Sequence, residues 1–223
     1  MSERRVLVLV RHGVTDWNRE GRFQGHLDPP LAADGRMDAQ LLATRLAADE
    51  DLRPARIVSS TLARARETAE AIGTTLGLAV EADERLIEIG QGEWEGRTHA
   101  DLVERDPDRY AAWQRDAGVR QPPGGESIES TTERVSQLLA ELLHDDRWPT
   151  CLVSHGGTLR VLARVLLRAD AKTSWSLDVD NASLSACSTI NDGWRLDRWN
   201  DVLHLLGRTE THVDEMEGRP LAL

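Results

Sequence analysis

The feature that most constrains the fold is an uninterrupted apolar run near the N-terminus. Residues 6–10 read Val-Leu-Val-Leu-Val, and the run ends in the polar residues Arg11 and His12. A continuous rather than alternating apolar pattern is typical of a strand covered on both faces within a mostly parallel sheet. We therefore expect a central strand with helices packed on either side of it.

Further along, short apolar runs alternate with segments of helical periodicity. Residues 55–59 and 150–154 are strand-like, whereas apolar residues recur at helical spacing over 62–76 and 128–142. Alternation of this kind predicts βα units, and each helix should lay one face on the sheet.

The C-terminal part of the chain predicts a hairpin. Residues 184–190 and 194–199 flank Asn191-Asp192-Gly193, a turn sequence that tolerates positive φ. We therefore expect an α/β fold, a three-layer sandwich whose mostly parallel central sheet is flanked by helices and carries one antiparallel edge strand.

Length and composition indicate one domain. With 223 residues, 40% apolar and 29% charged, the chain is an ordinary globular protein, and we expect a single domain over residues 1–223. Between residues 90 and 125 the apolar pattern loosens, which predicts a cap-like insertion over one end of the sheet. Trp94, Tyr110 and Trp113 are expected to be its packing anchors, and the polar tail after Arg208 is expected to be mobile.

Charge and cysteine content restrict the partners. A formal net charge of −11 argues against a broad nucleic-acid or anionic-membrane surface, so any bound anion needs a local basic pocket. Lys172 is the only lysine, so nearly all positive charge is guanidinium, which can grip phosphate through two parallel hydrogen bonds. Cys151 and Cys187 have no pairing pattern and are expected to be buried thiols.

The apolar runs predict neither a transmembrane helix nor a secretory signal. No apolar stretch approaches the length of a transmembrane helix, and the run at residues 6–10 is too short for a secretory signal. We expect a cytoplasmic protein that binds neither nucleic acid nor membrane, and a homodimer is left open.

The reactive side chains fall where predicted strands end. Arg11 and His12 follow the first strand, Arg64 opens the helix after the second, and His155 follows a later strand. Ligands of open α/β sheets bind outside the carboxyl ends of the strands, so these residues are expected to converge. Two arginines and two histidines in one small volume predict an anion site, and phosphate fits the arginine fork.

These residues lie in blocks that resemble the histidine phosphatase superfamily, which includes the cofactor-dependent phosphoglycerate mutases. The blocks, in the order of the family, are residues 9–18 (LVRHGVTDWN), 22–31 (RFQGHLDPPL), 59–69 (SSTLARARETA), 86–96 (LIEIGQGEWEG), 123–127 (PGGES) and 153–157 (VSHGG). Together they extend over nearly the whole chain, and ordered blocks are far more specific than a lone Arg-His-Gly.

The resemblance implies roles for individual residues. It makes His12 the nucleophile that accepts the phosphoryl group, and it makes Arg11, Arg64 and His155 the clamp on the phosphoryl oxygens. It also implies that Asn18, Gln24, Gly25 and Gly156 contact phosphate, although Asn18 and Gln24 are also plausible turn residues. A neutral imidazole held in one tautomer is what nucleophilic attack requires, and the pre-placed donors need neither a metal nor another cofactor.

The family pattern assigns the proton transfers to Glu88. One carboxyl group can protonate the leaving alkoxide and then activate water against the phosphohistidine. Glu93 and Glu95 are the competing candidates within the same block. The remaining polar residues are read as structural: His26, His99 and His144 as surface or capping groups, Arg66 as a helix-surface residue, and Asn200 with His204 as a tie between strand and core.

The predicted function is metal-independent hydrolysis of a small phosphate ester through a phosphohistidine. The segment after Trp94-Glu95-Gly96 is acidic and contains no lysine, which resembles the broad phosphatase branch of the family more than its mutases. Two alternatives stay open: a phosphoglycerate mutase-type phosphotransferase, and a phospho-ligand binding protein without catalysis. Sugar phosphates, phosphoglycerate derivatives and α-ribazole phosphate are all candidate substrates.

Overall fold

The computed structural model describes residues 4–115, 121–191 and 193–207. The strands are β1 (Val6–Arg11), β2 (Arg56–Ser59), β3 (Val80–Ala82), β4 (Thr150–Ser154), β5 (Leu184–Ile190) and β6 (Gly193–Asp201). The helices are α1 (Asp16–Arg19), α2 (Ala33–Ala48), α3 (Ala63–Leu76), α4 (His99–Arg105), α5 (Pro107–Arg115), α6 (Ile128–Leu142), α7 (Gly156–Leu167) and α8 (Ala171–Trp175).

The strands form one mixed sheet in the order β3-β2-β4-β1-β5-β6. The pairs β3–β2, β2–β4 and β4–β1 are parallel, whereas β5 runs antiparallel to both β1 and β6. The predicted α/β class is confirmed, and the antiparallel pairing lies at one edge, where β5 and β6 form the expected hairpin. In its turn Asn191 has φ +47°, and Asp192 lies outside the described residues.

The continuous apolar run of β1 is explained by a core on each face of the sheet. Leu7 and Leu9 point into a cluster that includes side chains of α6 and α7, whereas Val6, Val8 and Val10 point into a second cluster with α2 and α3. Both faces of β1 are therefore covered, which leaves no position in the strand for a polar residue until Arg11.

Residues of the predicted cap form a third, smaller cluster. It consists of Phe23, Trp94, Leu102, Tyr110 and Trp113. The aromatic rings meet mostly edge to face, with centroids 5.5 to 5.9 Å apart, and Trp94, Tyr110 and Trp113 pack against Phe23, which lies outside the predicted cap. Residues 116–120 of the cap lie outside the described residues.

The surface assignment of His99 is wrong. Its ring is half-buried, lies 4.8 Å from the ring of Phe23 and bonds the Tyr110 hydroxyl at 2.5 Å, so it belongs to the cap packing. His144 is exposed as predicted, and so is His26.

Two other expectations are confirmed. Cys151 and Cys187 are buried free thiols, and burial raises the pKa of each to about 12. Asn200 ties β6 to the loop before β5 through hydrogen bonds to Asp180.

The tail after Arg208 lies outside the described residues, and no helix within the described ranges combines the length and apolar character needed to cross a bilayer.

Candidate active site

The sheet brings the predicted phosphate-binding residues together at the carboxyl ends of its parallel strands. Arg11 ends β1, Arg64 lies in the first turn of α3 after β2, and His155 is the N-cap of α7 after β4. Because β1, β2 and β4 are neighbouring parallel strands, their carboxyl ends lie side by side. The rings of His12 and His155 are both buried, with centroids 5.1 Å apart.

The hydrogen bond of His12 defines its tautomer. Nδ1 lies 2.7 Å from the carbonyl oxygen of Gly13. A carbonyl can only accept, so Nδ1 carries the proton and donates it, which leaves the lone pair on Nε2. Burial, followed by the charges of Arg64 and Arg11, holds the pKa of His12 well below its usual value of 6.5. The imidazole is therefore neutral at physiological pH, with Nε2 ready to act as a nucleophile.

His155 is neutral for similar reasons. Burial is the largest cause of its lowered pKa, and the charge of Arg64 is the next. Its Nε2 lies 2.8 Å from the Ser60 hydroxyl oxygen, which also accepts the Leu62 N–H at 3.2 Å. We assign the hydroxyl as donor to Nε2, because this gives the Ser60 hydrogen an acceptor. Nδ1 then carries the ring proton, and this buried atom has no partner among the described residues.

Arg64 is a fully buried guanidinium supported from one side. Its terminal nitrogens donate to the carbonyls of Leu27 at 2.8 Å and Gly25 at 2.9 Å, and one lies 3.4 Å from the Asp28 carboxylate. Its Nε is buried and unpaired within the described parts of the chain. Burial lowers its pKa to about 10, so it stays cationic and presents a donor that a phosphoryl oxygen can satisfy.

Arg11 and Gly156 lie against each other beside His12. Arg11 donates from Nη1 to the carbonyl of Val179 at 2.5 Å. A Cβ on Gly156 would lie 3.5 Å from the Arg11 guanidinium and 3.4 Å from that of Arg160, so the first turn of α7 lies beside both cationic groups.

Glu88 is the carboxyl group that the structure places beside this cluster. It is buried and accepts the N–H groups of Ile89 at 2.9 Å, Gly157 at 3.2 Å and Thr158 at 3.1 Å. A Cβ on Gly157 would lie only 2.8 Å from Oε1, so the carboxyl group depends on that glycine for its close approach to α7.

The competing glutamates have other functions. Glu93 is largely exposed and pairs with Arg109 at 3.6 Å. Glu95 accepts the backbone N–H groups of His26 and Gln91, both at 3.0 Å, and so ties two loops together. Glu93 is thus held at the surface and Glu95 between two loops, whereas Glu88 is buried against the first turn of α7.

Two of the other residues predicted to contact phosphate, Asn18 and Gly25, make structural hydrogen bonds. Asn18 accepts from Thr15 N and Thr15 Oγ1 at 3.0 and 2.9 Å, which completes a capping box at the start of α1. Gly25 has φ +49° and its carbonyl supports Arg64. Gln24 is buried, and its Oε1 has no partner among the described residues.

Sequence reasoning missed the residues that hold these groups in place. Asp28 caps the start of α3 by accepting Ala63 N and braces Arg64, and Thr158 donates its N–H to Glu88 while its hydroxyl donates to the Ile87 carbonyl. Asp28 lies within the block 22–31 and Thr158 directly follows the block 153–157, but nothing in their spacing indicates a supporting role. Among the described residues, no group of three or more His, Cys, Asp or Glu side chains could hold a metal ion.

Comparisons with known proteins identify the family of this chain. Residues 7–202 match the family described as the histidine phosphatase superfamily, branch 1. Glucosyl-3-phosphoglycerate phosphatase of Mycobacterium tuberculosis is 37% identical over 214 residues, which cover 88% of this chain and 94% of the relative. Phosphoserine phosphatase 1 of Hydrogenobacter thermophilus is 36% identical and covers 80% of this chain and 84% of its own length.

A solved structure extends the similarity to three dimensions. The mycobacterial glucosyl-3-phosphoglycerate phosphatase in complex with VO3 aligns with a TM-score of 0.80 and 38% identity, over 88% of this chain and 99% of that one. The fold is that of the histidine phosphatases, and the relatives are named phosphatases of a superfamily that uses a histidine nucleophile. The chain belongs to the histidine phosphatase superfamily, and within it to branch 1.

Proposed function

We propose that this chain hydrolyses phosphate monoesters of small metabolites, with His12 as nucleophile and Glu88 as proton carrier. The observation that carries the proposal is the neutral imidazole of His12, which has Nδ1 fixed on the Gly13 carbonyl and Nε2 left as the basic nitrogen. Arg11, Arg64 and His155 supply the donors for the phosphoryl oxygens.

The reaction follows from this placement in two steps. Nε2 of His12 attacks phosphorus, and the ester oxygen leaves with a proton from Glu88. A water molecule then gives a proton back to Glu88 and attacks the phosphohistidine, which releases phosphate and restores the neutral ring. The buried arginine donors stabilise the charge on the transferring oxygens in both steps.

We propose that the cap determines which phosphate ester the site accepts. We propose that residues 90–125 form this cap over the site within a single domain, because Glu88 leads directly into the segment that holds the cap cluster. The relatives named for glucosyl-3-phosphoglycerate and phosphoserine cover most of this chain, so these two esters are the first to test. α-Ribazole phosphate is the third, since the adenosylcobalamin/α-ribazole phosphatase of Escherichia coli is 35% identical over 81% of this chain.

The proposal is tested with p-nitrophenyl phosphate and then with the three metabolites. Wild type should release phosphate, whereas His12→Ala should lose at least about 10³-fold in kcat/KM. His144→Ala, which removes an exposed histidine from the other end of the molecule, is the matched control and should keep wild-type activity. An alkaline quench of wild type should trap a base-stable, acid-labile phosphohistidine.

Two results would contradict the proposal. A His12→Ala variant with more than a few percent of wild-type turnover would remove the nucleophile assignment. Efficient interconversion of phosphoglycerates in a primed mutase assay, with hydrolysis as a slow side reaction, would show a phosphotransferase instead.

A further inference from the structure

A short segment between α8 and β5 crosses the end of β1. We call residues 179–183 the strap. Its backbone accepts Arg11 Nη1 at Val179 O (2.5 Å) and Arg11 N at Ser183 O (3.3 Å). The N–H of Ala182 donates to His12 O at 3.0 Å. The strap therefore contacts the backbone of both residues that end β1 at the site.

The side chain of Asn181 lies at the centre of the strap. Its Nδ2 is 3.1 Å from His12 O, 3.4 Å from Gly13 O and 3.3 Å from Asn18 Oδ1. All three neighbours are acceptors, the last because it already receives two hydrogen bonds from Thr15. The amide nitrogen must therefore face them, and no acceptor-only side chain could replace it.

This amide acts on the same carbonyl that selects the His12 tautomer. Gly13 O accepts the Nδ1 proton of His12 at 2.7 Å. Its peptide plane follows a glycine, which has the widest conformational freedom of any residue. A second donor to this oxygen, Asn181 Nδ2 at 3.4 Å, limits that freedom and so favours the tautomer with Nδ1 protonated and Nε2 unprotonated.

The strap is itself fixed from the end of β6. Asn200 accepts the Asp180 N–H at 2.7 Å and donates from Nδ2 to the Asp180 carboxylate at 2.8 Å. Ala182 and Asn200 have φ of +55° and +52°. Asparagine tolerates this region, but alanine adopts it at a cost that the surrounding structure must offset, so the conformation of Ala182 is the one that the strap enforces.

We propose that Asn181 is a positioning residue for phosphoryl transfer, which holds the carbonyl groups of His12 and Gly13 in the geometry that keeps Nε2 nucleophilic, and that the Asp180–Asn200 pair fixes the strap for this purpose. The inference deepens the proposed function and rests on it. Asn181 acts through His12 and does not touch the ester.

The first experiment replaces the amide. Asn181→Ala should lower kcat/KM for p-nitrophenyl phosphate by about 10- to 100-fold, as expected when a reacting group shifts by a fraction of an ångström to 1 Å. The inhibition constant of inorganic phosphate should change less than about threefold, because the arginine donors are untouched. Asn191→Gly, at a remote turn where φ is +47°, is the control and should behave as wild type.

A spectroscopic readout separates positioning from a merely structural effect. Two-bond proton–nitrogen correlation spectra distinguish the two neutral tautomers of a histidine. Wild type should show His12 protonated at Nδ1, and Asn181→Ala should show a measurable fraction protonated at Nε2. This result does not depend on turnover, so it tests the inference even if no substrate is hydrolysed.

A charge-neutral exchange tests the support of the strap. Asn200→Asp places two carboxylates together at the Asp180 contact and should lower kcat/KM about tenfold or more. Adding Asp180→Asn restores an amide–carboxylate pair and should return most of the activity. This pair keeps the test open if Asn181→Ala does not fold.

Three outcomes would overturn the inference. One is an Asn181→Ala variant with wild-type kcat/KM and an unchanged tautomer. Another is a phosphate inhibition constant that weakens as much as kcat/KM falls, which would make Asn181 a ligand of the substrate. The third is an Asp180→Asn/Asn200→Asp protein no more active than Asn200→Asp. Failure of wild type to hydrolyse any phosphate ester would instead refute the proposed function.

Discussion

The two neutral histidines should make the unliganded protein sensitive to mild acid. The pKa values of His12 and His155 are held well below 6.5 in the folded chain, first by burial and then by Arg64. Below pH 6.5 the unfolded chain binds a proton at each ring and the folded chain does not. The stability that the neutral rings supply is therefore fully present above about pH 6.5 and is lost as the pH falls toward the folded-state pKa values.

The size of the effect follows from linkage. Between pH 7.5 and pH 5.5, a histidine that titrates only in the unfolded state removes about 1.4 kcal/mol of unfolding free energy, so His12 and His155 together remove about 2.7 kcal/mol. His204, whose pKa burial and Arg45 lower to about 4, adds a similar amount. The paired carboxylates titrate below this window, so they contribute little to the slope.

Urea unfolding of wild type and of a His12→Gln/His155→Gln variant at both pH values isolates the two active-site rings. Glutamine keeps a neutral polar side chain but has no proton to gain. The variant should lose about 2.7 kcal/mol less than wild type between pH 7.5 and 5.5, and the contribution of His204 cancels in the comparison. Equal losses in the two proteins would show that these rings are not held neutral by the fold.

Other consequences can be checked by substitution. Glu88→Gln should reduce kcat/KM for an alkyl phosphate about tenfold more than for p-nitrophenyl phosphate, whose leaving group departs without a proton; equal losses would remove Glu88 as the acid. Arg64→Lys should lower kcat/KM about 10²-fold or more, since one ammonium group cannot donate to both loop carbonyls and also to a phosphoryl oxygen. Gly157→Ala would bring a Cβ to 2.8 Å from the Glu88 carboxylate and should impair alkyl phosphate hydrolysis about tenfold, whereas Gly193→Ala, with nothing within 4 Å, should not. Chelators should leave the activity of wild type unchanged.

The parts of the fold with a strong apolar pattern were predictable from the sequence. Helix α6 and strand β5 have their predicted bounds, and β1 follows an apolar run that the two core clusters explain. The three-residue strand β3 and the helix α2 were not predicted. β3 is a short, half-buried edge strand, and in α2 charged residues interrupt the apolar ones. Neither segment therefore shows the clear apolar periodicity from which strands and helices are predicted.

The site shows the same division between chemistry and support. Residues that carry the chemistry, such as His12 and His155, stand in short motifs because the adjacent backbone must approach the phosphate closely. Residues that hold them, such as Asp28, Thr158 and Asn181, act through contacts between segments 30 or more positions apart. Single side chains of common polar types have no local signature, and only the packed fold reveals what they contact.

An anion bound beside Arg64 offsets part of the cost of burying that charge, and this bears on turnover. Burial lowers the pKa of Arg64 to about 10, although the Glu88 and Asp28 carboxylates oppose the shift. A phosphate dianion is such an anion whether it is part of the ester or is the free product. Donors placed to stabilise the transferring phosphoryl group therefore also retain inorganic phosphate. Product release, rather than attack by His12, is then the step that a tighter clamp would slow first.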